Sequence, residues 1–485
     1  MCMKRLSARA LSTQTLCLFL FSQIFLALLT KFYVVDRGEG LFFGISSESL
    51  VQTFPASVLS EHPALALFYN HIQPPMFDAI RAAITQFWSP NFGTLEYFVD
   101  LGVFGLYFLL YGLLCVLVFV WILKATRSLK AAWVGSVLWA MHPGAIAMSS
   151  FLDGTFLSAI FIAWMIFEIC QVDKKNGSIA RVVIAATLCF FTRAHFQWFF
   201  VPFLAVALLF IGVERKQLAK WVGIFTVLVA LYCVKQVVLF GTPYSFGWFG
   251  EQLTGSLWIE EVGERTNSQY QASCGAETLV VEVECKEFFA NKFPKEVSEI
   301  RLVYPDQAHA VSAKHNSEKR WWLSQVQTRI AKQECINETK ACITSLFRSV
   351  RQNFPEYWVE SWDRRNPIVA DKTGIPWTKV YYRISNNYFW LIILSCVIFL
   401  ITSANRSIRP NILPIIGKTL VPLYVFGISL LGNSFDAYEG GRLKFMLEPL
   451  SSCLFLCKFV LHFTIFCLAL ELHPKMTRDY RGEFL

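Results

Sequence analysis

Charge is scarce in this chain. Asp, Glu, Lys and Arg make up 16% of its 485 residues, against roughly 25% in soluble domains. That shortage argues against an ordinary soluble globule. No internal repeat is visible, which weighs against the inverted repeats on which many transporters are built. Low-complexity runs are missing as well. The basic residues exceed the acidic ones, giving a net charge of +9, but they form no long basic face. They sit in short clusters between apolar runs, so no nucleic-acid partner is expected.

Apolar residues, by contrast, are plentiful: 55% of the chain is hydrophobic, with 45 Phe and 15 Trp. A bilayer needs that much apolar surface, at about 20 residues per crossing. Candidate spans are Thr15–Val34, Leu101–Leu123, Ala131–Ala147, Phe156–Cys170, Val182–Phe191, Phe196–Val213, Trp221–Phe240, Tyr388–Thr402, Leu413–Leu431 and Leu450–Leu470. The expected fold class is therefore an all-α polytopic membrane protein of about ten transmembrane helices. The N-terminal segment has a basic flank but no small-residue cleavage pattern near Thr30–Val35, so an uncleaved first helix is expected.

Alternate connections carry the basic clusters: Lys4/Arg5/Arg9, Lys124/Arg127/Lys130, Lys174/Lys175/Arg181, Arg215/Lys216/Lys220, Arg406/Arg409 and Lys475/Arg478/Arg481. The positive-inside rule makes these cytoplasmic, with both termini inside. Three regions follow: an N-terminal transmembrane module (1–240) containing a long first outward loop (36–100), an outward soluble insertion (241–387), and a C-terminal transmembrane module (388–485). Within the first loop, Ala64–Tyr69 and Met76–Phe87 have the character of helices lying in the interface.

Cys274, Cys285, Cys335 and Cys342 fall in the insertion. Their spacings are not of the CxxC kind that zinc sites use. In an oxidising compartment they suggest two disulfides, Cys274–Cys285 and Cys335–Cys342 being the simplest pairing.

Ionisable groups near a membrane are costly, so those present call for a reason. Most of the unusual ones gather at outward ends: Asp36, Glu39 and Glu48; His71 and Asp78, on either side of Gln73; His142 and Asp153; Arg193 and His195; Asp436, Glu439, Arg442 and Lys444. Taken together they would supply a carboxylate base and cations for phosphate at one membrane depth. Taken singly, each has a plainer account as a solvated helix end, a turn residue before proline or an interface anchor.

Two segments, Asp36-Arg-Gly-Glu39 and His71-Ile-Gln-Pro-Pro75, make the chain resemble the GT-C glycosyltransferases. These polytopic enzymes take sugars from polyprenyl-phosphate donors; protein O-mannosyltransferases and the aminoarabinose transferase are examples. His142-Pro-Gly144 through Asp153, and Glu439-Gly-Gly-Arg442 through Pro449, are similar to later outward segments of that family. The resemblance implies a GT-C-like fold and a membrane glycosyltransferase. Its donor would be a polyprenyl-phosphate sugar and its acceptor a glycan, lipid or protein on the non-cytoplasmic face.

By the same resemblance Asp36 or Glu39 is the catalytic base, with two residues between them leaving the choice open. Arg193, Arg442 and Lys444 would meet the donor phosphate. His71, Gln73, Asp78, His142, Asp153, His195 and Glu439 would complete the site. A divalent-metal requirement stays open and membrane lipid is an expected partner. The expected location is a bacterial inner membrane with a periplasmic site, or else an endoplasmic reticulum membrane with a lumenal one. A transporter or flippase for lipid-linked cargo is the rival, with Lys235 and Lys458 inside spans as its best support.

Overall fold

The computed structural model describes residues 8–30, 46–48, 53–141, 145, 146, 149, 152–172, 179–194, 196–243, 279–298, 300, 304–313, 316–345, 417, 418, 420, 421 and 424. Among these residues the regular structure is helical and no strand occurs. In chain order the helices are α1 (Ala8–Thr30), α2 (Ala56–Glu61), α3 (Pro63–Phe68), α4 (Met76–Thr85), α5 (Leu95–Thr126), α6 (Leu129–Ala140) and α7 (Gly154–Gln171). There follow α8 (Ile179–Thr192), α9 (Phe200–Ile211), α10 (Arg215–Phe240), α11 (Leu279–Lys292), α12 (Pro294–Ser298) and α13 (Glu318–Asn337).

Four of them, α1, α5, α7 and α10, are long and apolar enough to cross a membrane. Helices α6, α8 and α9 are apolar but shorter, at 12, 14 and 12 residues. A 12-residue helix rises about 18 Å, short of the roughly 30 Å hydrocarbon core. These seven helices fall on the first seven expected spans. Expected spans Tyr388–Thr402 and Leu450–Leu470 lie outside the described residues.

A few positions of the ninth expected span are described, and they are helical. Val421 is buried, and the Tyr424 ring lies 4.6 Å from that of Phe203 and 4.9 Å from that of Phe200, both on α9. Gly417 explains how closely the two segments approach. A Cβ there would sit 2.5 Å from the Ala207 carbonyl oxygen and 2.7 Å from the Ile211 nitrogen, so only glycine fits without moving backbone.

Helix ends follow the local sequence. Thr94 caps α5 by accepting from the Tyr97 N–H at 3.3 Å, and Ser128 caps α6 by accepting from Ala131 at 3.2 Å. Helices α9 and α10 stop at Gly212 and Gly241, whose φ values of +89° and +72° are left-handed conformations that glycine adopts without penalty.

One end of the bundle collects cations. Lys124 Nζ donates to Gln171 Oε1 at 3.1 Å, Arg181 Nε pairs with Glu168 Oε2 at 2.9 Å, and Lys418 Nζ donates to the Cys170 carbonyl at 3.0 Å. The first loop and the insertion lie at the other end. The 32 residues of α5 span about 48 Å between the two.

A single apolar core joins α1 and α5 through α10, with Tyr107, Tyr111, Trp139 and Phe156 wholly enclosed. The second core is more informative. Phe54, Leu59, Ala66 and Tyr69 of the first loop, with Phe240 at the end of α10, pack with Phe288, Phe289, Trp321, Trp322 and Val326 of the insertion. The described part of the insertion therefore shares its core with the first loop. Trp321 and Trp322 of the insertion are core residues, and Trp321 Nε1 donates to the Phe240 carbonyl at 3.1 Å. In the same region Cys335 and Cys342 form a disulfide, and Cys285 is disulfide-bonded too; Cys274 lies outside the described residues.

Candidate functional site at the insertion end of the bundle

Five of the sequence-derived site residues are described: His71, Gln73, Asp78, Asp153 and Arg193. Asp36, Glu39, His142, His195, Glu439, Arg442 and Lys444 lie outside the described residues.

Asp153 begins α7 as its N-cap. Its Oδ1 accepts from the Thr155 N–H at 2.8 Å, and its Oδ2 accepts from the Thr155 hydroxyl at 2.7 Å. Arg193 follows directly on α8, and its Nη2 reaches Asp153 Oδ2 at 3.0 Å and also contacts Thr155 Oγ1. The Tyr107 hydroxyl donates to the Asp153 carbonyl. Both charged side chains are buried, so the pair is a braced ion pair inside protein rather than a solvated one. Arg193 Nε, equally buried, has no hydrogen-bond partner among the described residues.

Asp78 and Arg81 form a second buried pair one turn apart on α4, at 2.9 Å and with neither side chain exposed. Arg81 also donates to the Phe54 carbonyl at 2.7 Å and from Nε to Ser47 Oγ at 3.1 Å. Ser47 in turn donates from its N–H to Asp100 Oδ1 at 3.0 Å, with its hydroxyl on the same oxygen. Burial pushes the Asp78 carboxyl above its ordinary range, while the Arg81 charge and its hydrogen bonds pull the other way. The two buried pairs adjoin. A Cβ built on Gly154 would lie 3.8 Å from the Cβ of Phe77 and 3.6 Å from the Thr192 carbonyl oxygen, which sets Asp153–Gly154 against Phe77–Asp78.

The third group is the turn carrying His71 and Gln73. Asn70 holds it from within: Oδ1 accepts from the Ile72 and Gln73 N–H groups at 3.2 and 3.3 Å, while Nδ2 donates to Asp78 Oδ2 at 3.3 Å. From α10, Gln236 Nε2 and Lys235 Nζ donate to the Asn70 carbonyl at 3.0 and 3.4 Å. The His71 ring is 3% exposed, packed 4.8 Å from Phe240 and 5.7 Å from Tyr304, and neither ring nitrogen has a partner among the described residues. Burial, helped by the Lys235 charge, lowers its pKa to about 3, so the imidazole is neutral at physiological pH.

His71, Gln73, Asp78, Asp153 and Arg193 thus come to one end of the bundle through two adjoining hydrogen-bonded clusters. Arg81, Asp100, Ser47, Asn70, Asn316 and Gln236 belong to the same network, yet the sequence does not single them out. Arg81 offers a signal, since it stands three residues after Asp78 and hence on the same helix face. Asp100 resembles a boundary residue at the start of an apolar run. Among the described residues, no group of three His, Cys, Asp or Glu is placed to hold a metal ion. The chain matches no protein-family model, no curated protein and no solved structure.

Proposed function

We propose that this chain is a GT-C-like membrane glycosyltransferase that moves a sugar from a polyprenyl-phosphate donor to an acceptor on the non-cytoplasmic face. The observation that carries this reading is the shared core of first loop and insertion, with the His71–Gln73 turn and the Asp153–Arg193 pair close beneath it. Asp36 or Glu39, on the same loop, would be the general base that takes the acceptor proton. Arg193, Arg442 and Lys444 would offset the charge gained by the departing phosphate, where fixed cations contribute most. Arg193 is bonded to Asp153 through Nη2, and its buried Nε has no hydrogen-bond partner among the described residues.

A lipid-linked transporter is the alternative, and Lys235 was its main support. Transporters bind cargo near the bilayer midplane. Lys235 stands five residues before the end of α10 and meets the Asn70 carbonyl, so it belongs to the end of the bundle that carries the first loop and the insertion.

Purified protein incubated with a radiolabelled polyprenyl-phosphate sugar and candidate acceptors tests the proposal. Asp36→Asn or Glu39→Gln, whichever removes the base, should lower transfer by roughly 10²–10⁴-fold with folding intact. Full activity in both variants would remove the first loop from the chemistry. Cargo movement without any glycosidic bond would point to the transporter.

A further inference from the structure

The turn Tyr69–Gln73 is held from more directions than its length requires, and one of its anchors comes from the distant insertion. Asn316 Oδ1 accepts from the His71 N–H at 3.1 Å, and Asn316 Nδ2 donates to the Tyr69 carbonyl at 3.4 Å. One side-chain amide thus engages the backbone on both sides of Asn70, as a neighbouring peptide group would.

Asn316 is itself fixed. Its N–H donates to the Ala313 carbonyl at 2.8 Å, its carbonyl accepts from the Ala313 N–H at 3.3 Å, and the Tyr304 hydroxyl reaches the same carbonyl at 3.4 Å. The residue is 5% exposed, so the amide has no water to exchange for. Tyr69 Oη, donating to Gln307 Oε1 at 2.6 Å, adds a second tie between the same two segments.

We propose that Asn316 is a positioning residue by which the insertion sets the geometry of the first outward loop, aiming the His71 and Gln73 side chains. The insertion is then more than a cover: its seating on Asn70, opposite the Gln236 and Lys235 bonds from α10, decides whether that loop is in its working shape. The consequence for transfer rests on the glycosyltransferase reading; the clamp itself does not.

Replacing the amide by a carboxyl separates the clamp from mere filling of space. A carboxylate at position 316 still accepts from His71 but turns a second oxygen towards the Tyr69 carbonyl. Protonated, it donates there as the amide does. Burial raises the pKa of such a carboxyl. The ionisable groups around it are His71, Tyr69 and Lys235 from the loop and α10, with Tyr304, His309 and Glu318 from the insertion; Lys314 and His315 adjoin it in sequence. His71, with a pKa of about 3, stays neutral at pH 5.

The experiment is hydrogen exchange of the His71 amide in the full chain, each variant being compared with the parent at the same pH. Asn316→Ala should speed exchange by about tenfold at pH 5 and pH 8, the worth of one lost hydrogen bond. Asn316→Asp should exchange faster than the parent at pH 8, though less than the alanine variant because the His71 N–H keeps an acceptor, and should return towards the parent at pH 5. Parent-like exchange in Asn316→Ala, or an equal excess at both pH values in Asn316→Asp, would overturn the clamp. If transfer shows the same pH crossing in Asn316→Asp, the clamp serves the chemistry. The exchange pattern without transfer by any variant upholds the clamp and sinks the glycosyltransferase instead.

Discussion

Replacing His71 with phenylalanine should make the protein less sensitive to acid. The imidazole sits between Phe240 and Tyr304 with both nitrogens unpartnered among the described residues, and its pKa falls from 6.5 to about 3. Between those values the unfolded chain binds a proton at this position that the folded chain refuses. Stability must therefore rise with pH through the window and fall on acidification. At pH 5, which is 1.5 units below the unfolded value, the loss comes to about 2 kcal/mol at roughly 1.36 kcal/mol per unit. Phenylalanine keeps the ring packing and removes the titration. At pH 7.5 it should be near neutral, since it also removes two unpaired polar atoms. Denaturant unfolding of the detergent-solubilised chain at pH 7.5 and pH 5 would measure this. The parent should lose about 2 kcal/mol more than His71→Phe between the two. Equal losses would show that His71 is not held neutral by burial.

Arg193→Ala should cost roughly 3–5 kcal/mol, because it strands the Asp153 carboxylate inside protein; Arg193→Lys should recover only part, lacking the planar fork. A measured loss below 1 kcal/mol in unfolding would mean the pair is solvated. Gly417→Ala should destabilise by roughly 1–3 kcal/mol, since its Cβ falls on the Ala207 carbonyl and Ile211 nitrogen. An unchanged unfolding midpoint would show that the ninth segment does not press on α9.

The membrane helices were legible because the bilayer imposes one simple requirement, a long apolar run, and α1, α5, α7 and α10 meet it without tertiary help. Loop helices were legible for a related reason: Pro63 and Pro75 mark where α3 and α4 can begin, and apolar residues fill them. The short α2 carries too few residues for a periodic signal. Phe68 at the end of α3 and Phe87 just beyond α4 are exposed. But α4 also hides Asp78 and Arg81, which a helix simply floating in the interface would leave in water.

The joining of insertion to first loop was not legible, because its partners are about 245 residues apart and no local pattern announces them. Asn316 stands in a stretch that looks like solvated loop, and its role exists only because Tyr69 and His71 come to it. Trp321 and Trp322 show the ambiguity from the other side. An outward tryptophan can be a stacking platform or a core residue, and composition does not distinguish the two. Here both fill the second core. The same logic applies to Arg193. Sequence could place a cation at an outward helix end but not its counter-ion, and the counter-ion changes the role. A buried arginine tied to Asp153 through Nη2 has part of its charge offset by that carboxylate. What it keeps is a directional donor at Nε, suited to orienting an oxygen rather than to gathering charge.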